Sequence, residues 1–111
     1  MKESDLKKGV EHLLQLFENG GKLKFQRNNS FVGRLKRADG SEGFVKNGKP
    51  GAPDYYVFFD KGVLVQLELK SDKGSLSDKQ EEWQRWMNKK KYTYYVLRDL
   101  EDLKKVIECY L

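Results

Sequence analysis

Two acidic residues and one lysine are spaced so that they can act together on one substrate. Asp54 follows a proline in GAPDYYVFF at residues 51–59, and Glu68 and Lys70 belong to QLELK at residues 66–70. Side chains alternate along a β-strand, so Glu68 and Lys70 share a face, with Cα atoms about 7 Å apart. Asp54 begins the preceding strand, and a hairpin turned at residues 60–62 places it opposite Glu68 or close to it. We therefore expect two carboxylates and one ammonium group to converge at one edge of a sheet.

Such a cluster favours a divalent-metal site that acts on phosphate. Two carboxylates a few Å apart repel each other, which raises one pKa unless a cation compensates. Mg²⁺ binds one or two carboxylates and keeps waters and substrate phosphate oxygens around it, so that it polarises the phosphate and activates a water. Lys70 would stabilise the developing negative charge or orient that water. In the alternative, Asp54 is a turn residue, and Glu68 and Lys70 form only a solvated salt bridge.

The rest of the chain predicts helices and strands that position these groups. Strands are predicted over residues 22–27, 55–59, 63–70 and 92–98. Helices are predicted over residues 4–19, over residues 78–91 and after Asp99, because apolar residues recur there at helical spacing. Ser4 or Asp5 is expected to cap the first helix, and Gly20 and Gly21 to end it. The order α-β-β-β-α-β-α indicates an α/β sandwich with a mixed sheet.

Residues 28–50 form a glycine-rich basic segment, which we call the flap. An Asp-Gly pair at residues 39–40 suggests a hairpin turn within it, and glycines let a loop approach another backbone closely. We hypothesise that the flap and the strand before it contact DNA phosphates; a solvated hairpin is the alternative. The basic residues assigned to this interface are Arg27, Arg34, Lys36, Arg37, Lys46 and Lys49.

Composition narrows the possible functions. A chain of 111 residues indicates one domain, residues 1–111. The net charge of +5 and the pI of about 9.2 favour a polyanionic partner. One histidine and one cysteine exclude a cysteine-and-histidine zinc site within one chain and a two-histidine ribonuclease mechanism. With no possible internal disulfide, no apolar run near the roughly 20 residues of a membrane span and no signal peptide, we expect a cytoplasmic protein.

Three motifs in order carry a resemblance to a known family. They are the Gly-x-Pro-Asp turn of Gly51, Pro53 and Asp54, the Glu-x-Lys strand of Glu68 and Lys70, and the helix LSDKQEEW that contains Gln80. Together they resemble the VRR-NUC (virus-type replication-repair nuclease) family of the PD-(D/E)XK nuclease superfamily, over about residues 4–98. The resemblance implies a three-layer sandwich, with an α-β-β-β-α-β core around a central mixed sheet and a C-terminal helix.

The resemblance also implies an activity. It indicates a Mg²⁺- or Mn²⁺-dependent DNA endonuclease that hydrolyses phosphodiester bonds by in-line attack of an activated water. Asp54 and Glu68 would hold the metal with the carbonyl of Leu69 and with Glu11, while Lys70 assists the transition state and Gln80 faces the site. For Gln80 and Glu11, local helix structure offers an alternative explanation that involves no catalysis. Gln80 completes a capping box with a serine three residues earlier, and Glu11 fits a solvated helix position.

The substrate and the assembly are expectations of the same kind. Stand-alone members of the family resemble Holliday-junction resolvases, which work as homodimers and commonly come from phages. We therefore expect a homodimer that acts on branched or junction DNA in the cytoplasm of a phage or bacterial host cell. The rivals are a non-catalytic nucleic-acid-binding module, a structural or partner-binding α/β domain, and a nuclease of the same superfamily with a restriction or RNA-directed role.

Overall fold

The computed structural model describes residues 2–28 and 31–111, and of residues 31–35 and 44–47 it describes the backbone alone. The helices are α1 (Glu3–Asn19), α2 (Asp78–Lys89) and α3 (Leu100–Tyr110), with a 3-10 turn at Asp60–Gly62. The strands are β1 (Lys24–Arg27), β2 (Phe31–Lys36), β3 (Glu42–Asn47), β4 (Tyr55–Phe58), β5 (Leu64–Leu69) and β6 (Thr93–Leu97). None of these helices is both long and apolar enough to cross a membrane.

Four strands form one mixed sheet in the order β1-β4-β5-β6. The pairs β1–β4 and β4–β5 are antiparallel, and β5–β6 is parallel. A parallel pair needs a long crossover connection, and α2 lies in the connection here. The order α-β-β-β-α-β-α and the mixed sheet predicted from the sequence are therefore confirmed, with the β2–β3 hairpin inserted between β1 and β4.

The central strand β5 has buried side chains on both of its faces. Val65, Leu67 and Leu69 belong to the apolar core that α1 and α3 complete on one side of the sheet. Gln66 and Glu68 point to the opposite side of the sheet, where α2 lies. Trp83 of α2 donates a hydrogen bond to Gln66, and Gln80 of α2 donates one to Glu68. Full burial of one aliphatic side chain contributes about 1.5–3 kcal/mol. The hydrophobic effect thus fixes which face of β5 carries Glu68. The core comprises Leu6, Val10, Leu14, Leu23, Tyr55, Val57, Phe59, Val65, Leu67, Leu69, Leu97, Leu103, Val106 and Ile107.

The first helix begins earlier than the sequence suggested. Its N-cap is Lys2, whose side chain makes no capping bond, so the prediction that Ser4 or Asp5 caps the helix is wrong. Glu3 and Asp5 lie in the first turn instead, where negative charge interacts favourably with the helix dipole. Gly20 is the C-cap, as predicted.

The flap contains the predicted hairpin, which is confirmed as a separate two-stranded sheet of β2 and β3. Its turn carries Asp39 and Gly40. The Asp39 carboxylate accepts hydrogen bonds from the backbone N–H and the hydroxyl of Ser41, at 2.8 and 2.6 Å. Gly40 has a φ of 87°, in the left-handed region that favours glycine.

Candidate active site

Asp54 and Glu68 meet where β4 begins and β5 ends. The strands pair Tyr55 with Leu67, so the next position in the register places Asp54 opposite Glu68. The Asp54 carboxylate accepts a hydrogen bond from the backbone N–H of Leu69, with Oδ2 2.8 Å from the nitrogen. That bond orients the Asp54 side chain toward the end of β5, beside Glu68.

The Gly-x-Pro-Asp turn sits directly against the start of α2. Gly51 has a φ of 87°, and a Cβ atom at this position would overlap the Lys79 carbonyl oxygen. Glycine is therefore required here both by its backbone angle and by the close approach of the helix. On the other side of the turn, Asn28 donates from its side chain to the Pro53 carbonyl at 3.0 Å and from its backbone N–H to the Asp54 carbonyl at 2.8 Å. The backbone that carries Asp54 is thus held from both ends.

Glu68 is a buried carboxyl with one satisfied and one orphaned oxygen. Its residue exposure is 2%. Oε1 accepts from the Gln80 side-chain amide at 2.8 Å, whereas Oε2 is buried without a hydrogen-bond partner in the described part of the chain. Burial first, and next the charge of Asp54, raise the pKa of Glu68 to about 8, while Lys70 acts in the opposite direction. Either a proton shared with Asp54 or a bound cation would satisfy the orphaned oxygen.

Gln80 makes both of the contacts that the sequence left as alternatives. Its Oε1 accepts from the backbone N–H of Ser77 at 2.9 Å, and its backbone N–H donates to the Ser77 hydroxyl, which completes the capping box of α2. Its Nε2 donates to Glu68. An amide can do both because it carries an acceptor and two donors on one planar group. The first turn of α2 therefore fixes the Glu68 carboxyl directly.

Lys70 lies one residue beyond β5 on the same face as Glu68. It is half-buried, and its charge is near enough to lower the pKa of Glu68. Its backbone N–H donates to the Leu97 carbonyl at 3.0 Å, which extends the β5–β6 pairing to this position. Among the residues that the structure describes, no carboxylate lies within 4.0 Å of its ammonium group.

Tyr94 is a polar group at the site that sequence reasoning missed. Its Cα pairs with that of Gln66 across the parallel β5–β6 ladder, on the face that Glu68 shares. Its hydroxyl is buried without a hydrogen-bond partner in residues 2–28 and 31–111. Burial and the charges of Glu68 and Asp54 raise the pKa of Tyr94, so it stays a neutral donor. Tyr94 can be assigned to this face only when the register of β6 against β5 is known. The alternation of residues along one strand does not give that register.

Glu11 makes contacts that explain it without a metal. The Tyr55 hydroxyl donates to Glu11 Oε1 at 2.6 Å, and Arg27 forms an ion pair with the same oxygen at 3.2 Å. No group of three or more acidic, histidine or cysteine side chains in the described ranges is arranged to hold a metal. The structure therefore does not bring Glu11 into one cluster with Asp54 and Glu68, and its role as a ligand stays a prediction.

The donor set formed by Asp54 and Glu68 fits a hard divalent cation. Mg²⁺ commonly binds to a protein through one or two carboxylates and leaves the remaining positions to water and substrate phosphate. The orphaned Oε2 of Glu68 supplies an unpaired ligand atom next to a second carboxylate. The Leu69 carbonyl, between Glu68 and Lys70 in the sequence, stays a predicted further ligand.

The structure describes part of the predicted DNA interface. Lys36, Arg37 and Lys49 are exposed, and the Arg37 guanidinium donates to the Glu42 carbonyl at 3.0 Å across the hairpin. Arg27 is exposed but lies on β1, outside the flap, in its ion pair with Glu11. The side chains of Arg34 and Lys46, on β2 and β3, lie outside what the structure describes. Their roles in binding stay predictions.

The fold has a counterpart among solved structures. A structure described as a "VRR_NUC domain" aligns with 100% of this chain and 99% of its own, at a TM-score of 0.63 and 20% sequence identity. No protein-family model matches the sequence, and no curated protein matches it. The predicted α/β sandwich with a mixed sheet is therefore confirmed, and its fold is that of the VRR_NUC domain.

Proposed function

We propose that this chain is a divalent-metal-dependent nuclease of the VRR-NUC type. The observation that carries the proposal is the pair of carboxylates on Asp54 and Glu68, in which Glu68 Oε2 is buried and has no hydrogen-bond partner among the described residues. The fold shared with a VRR_NUC domain supports it, as does the Gly-x-Pro-Asp and Glu-x-Lys pattern at these positions.

Each residue of the site has a proposed task. Asp54 and Glu68 would hold the metal, which when bound supplies Lewis-acid polarisation of the phosphate and activation of a water. Gln80 and the Leu69 N–H keep the two carboxylates in place, so they need little rearrangement before reaction. Lys70 is free of close carboxylates within the described residues, and its ammonium would bind the phosphate oxygens as negative charge develops.

The test is a cleavage assay with matched variants. Wild-type protein is incubated with labelled DNA in Mg²⁺, in Mn²⁺ and in EDTA, beside Asp54→Asn, Glu68→Gln, Lys70→Ala and the exposed control Glu108→Gln. We expect cleavage only with metal, and a loss of about 10²-fold or more in the three site variants, as for the removal of one transition-state contact. The control should retain wild-type activity.

Two outcomes would contradict the proposal. Undiminished cleavage by Glu68→Gln would remove the carboxylate pair from the mechanism. Metal-independent binding of nucleic acid without any cleavage would indicate the non-catalytic binding module.

The substrate and the assembly are finer parts of the same proposal. We propose DNA, in particular branched or junction DNA, and a homodimer, because the sequence resembles a family with members that are similar to homodimeric Holliday-junction resolvases. A symmetric dimer presents two related sites, which suits paired cuts in a four-way junction. Comparison of four-way junction, duplex and single-stranded substrates, with sedimentation analysis of the protein, tests both. A monomer that cuts all three substrates equally would contradict them.

The flap is proposed to bind the phosphate backbone. Replacing Lys36 and Arg37 by glutamine should reduce the dependence of log affinity on log salt by about 0.9 for each lost phosphate contact, or about 1.8 in total. Lys104 and Lys105 on α3 provide the control pair. An equal salt slope in both double variants would exclude these two flap residues from the interface.

A further inference from the structure

A groove lies between the end of the flap and one side of α2. Its volume is about 520 Å³, within the range of about 300–1,000 Å³ typical of small-molecule sites. The roles proposed for the carboxylate pair do not use it. The lining residues are Lys49, Pro50, Lys79, Glu82, Trp83, Trp86 and Met87.

The groove presents aromatic surface that the fold does not bury. Trp86 is 52% exposed, and its ring stacks on Tyr92 with 11° between the planes and 6.1 Å between centroids. Trp83 is held in place because its indole N–H donates to Gln66 Oε1 at 2.9 Å. The rings are thus preordered, so a planar ligand would stack on them without a large loss of side-chain entropy.

The charges around these rings are mainly positive. Lys49 and Lys79 line the groove, and Lys90 Nζ lies 5.8 Å from the Trp86 ring centroid. Glu82 also lines the groove and forms an ion pair with Lys79 at 3.6 Å. The remaining lysines, Lys49 and Lys90, therefore make the net charge around the rings positive. Apolar rings beside lysines suit a nucleotide, whose base stacks while its phosphates meet the cations.

The groove is close to the carboxylate pair along two routes. Pro50 is four residues from Asp54, so the two Cα atoms lie at most about 14 Å apart. Lys79 immediately precedes Gln80, which bonds to Glu68, and Gly51 seats the loop on the same turn of α2. A strand rising about 3.4 Å per nucleotide covers that distance in about four steps.

We propose that this groove binds one unpaired nucleobase of the nucleic acid whose phosphate lies at Asp54 and Glu68. The inference rests on the proposed nuclease function and specifies its substrate class, which is DNA with an unpaired nucleotide close to the cut. A second copy of the chain is the competing occupant, since exposed tryptophans also suit an interface. The lysines favour the nucleotide, because apposing two copies would bring like charges together.

The test measures binding rather than cleavage, in EDTA. Three labelled duplexes are compared by fluorescence anisotropy: one with an unpaired thymine, one with an abasic residue at that position, and one fully paired. The proteins are wild type, Trp86→Ala, Trp86→Phe and Leu16→Ala, a similarly exposed apolar residue on α1. Circular dichroism checks folding. Quenching of wild-type tryptophan emission by the unpaired thymine gives a readout that needs no variant.

The expected result depends on the base. Wild type should bind the unpaired-thymine duplex more tightly than the abasic one, and Trp86→Ala should weaken only the former, by about 5- to 150-fold for one lost stacking contact. Trp86→Phe, which keeps a ring, should retain most of the affinity, and Leu16→Ala all of it. Tryptophan emission should be quenched by thymine and not by the abasic duplex.

Other results overturn either the inference or the nuclease proposal on which it rests. Equal wild-type affinity for the thymine and abasic duplexes excludes a base site. A change from dimer to monomer in Trp86→Ala, with unchanged preference for the base, makes the groove an interface between copies. If the wild type binds the base but does not cleave, the groove remains a base site and the nuclease proposal is rejected. If it cleaves but shows no base-dependent binding, the nuclease proposal remains and the base site is rejected.

Discussion

Replacing Glu68 by glutamine should change how the stability of the metal-free protein depends on pH. Burial first, and then the charge of Asp54, raise the pKa of Glu68 from 4.5 to about 8. Between these values the folded protein keeps a proton that the unfolded chain has released. The unfolded state therefore binds fewer protons, and the free energy of unfolding of the wild type falls as the pH rises through this window.

The magnitude follows from the same two values. A pKa difference contributes about 1.4 kcal/mol for each pH unit over which the proton is retained. Between about pH 5.5 and pH 8, this gives a loss of about 3 kcal/mol in the wild type. Glutamine cannot ionise, yet it retains an oxygen for Gln80 and gains an N–H that can donate toward Asp54. Glu68→Gln should therefore lack this loss.

Urea unfolding in EDTA at several pH values measures the effect. The difference in free energy of unfolding between Glu68→Gln and wild type cancels the contributions of other titrating groups. We expect it to move by about 3 kcal/mol in favour of the variant between about pH 5.5 and pH 8. Glu108→Gln, an exposed substitution on α3, should run parallel to wild type.

Addition of Mg²⁺ at pH 8 completes the experiment. An ion at about 100 times its Kd should stabilise the wild type by about 2.7 kcal/mol and the variant by much less. A wild-type-to-variant difference that does not depend on pH would refute the reasoning, because Glu68 would then ionise as freely in the folded as in the unfolded chain.

Three further substitutions test how the site is held. Gly51→Ala should lower the free energy of unfolding in urea by more than the ~1–2 kcal/mol that a left-handed backbone angle costs, because the added Cβ also meets the Lys79 carbonyl. Gly21 has a φ of 74° and open space around it, so Gly21→Ala should show only the cost of the backbone angle. Gln80→Ala should lower both kcat and the free energy of unfolding, whereas Ser77→Ala should lower only the free energy of unfolding, by the ~0.5–2 kcal/mol of a lost cap. Equal losses of activity in the two variants would mean that the hydrogen bond from Gln80 to Glu68 contributes nothing to catalysis. Glu11→Gln keeps an acceptor for its tyrosine partner, so the Mg²⁺ concentration for half-maximal activity should stay unchanged, and a tenfold rise would make Glu11 a ligand.

Local spacing determined most of the fold. Periods of two and 3.6 residues, with glycines at the ends, predicted the order of helices and strands, and the Asp-Gly pair predicted the turn of the flap. The start of α1 was the exception, because Glu3 and Asp5 stabilise the first turn through the helix dipole and no side-chain cap is present.

The sequence by itself also determined how the central residues of the candidate site are placed. Alternation along β5 puts Glu68 and Lys70 on one face, and the hairpin register puts Asp54 opposite Glu68. Both are short-range consequences of strand geometry, and the capping box of Gln80 is a short-range consequence of helix geometry. For this reason a single sequence was enough to predict them.

Only the tertiary structure decided how those groups are supported. The crossover helix α2 brings the Gln80 side chain onto Glu68 and places the helix backbone against Gly51. Strand β6 brings Tyr94 to the face of the sheet that carries Glu68. The rotation of α1 directs Glu11 to a tyrosine hydroxyl and an arginine. These contacts join residues that are distant in the chain, and their geometry depends on helix rotation and strand order, which are set by packing of the whole core rather than by local spacing.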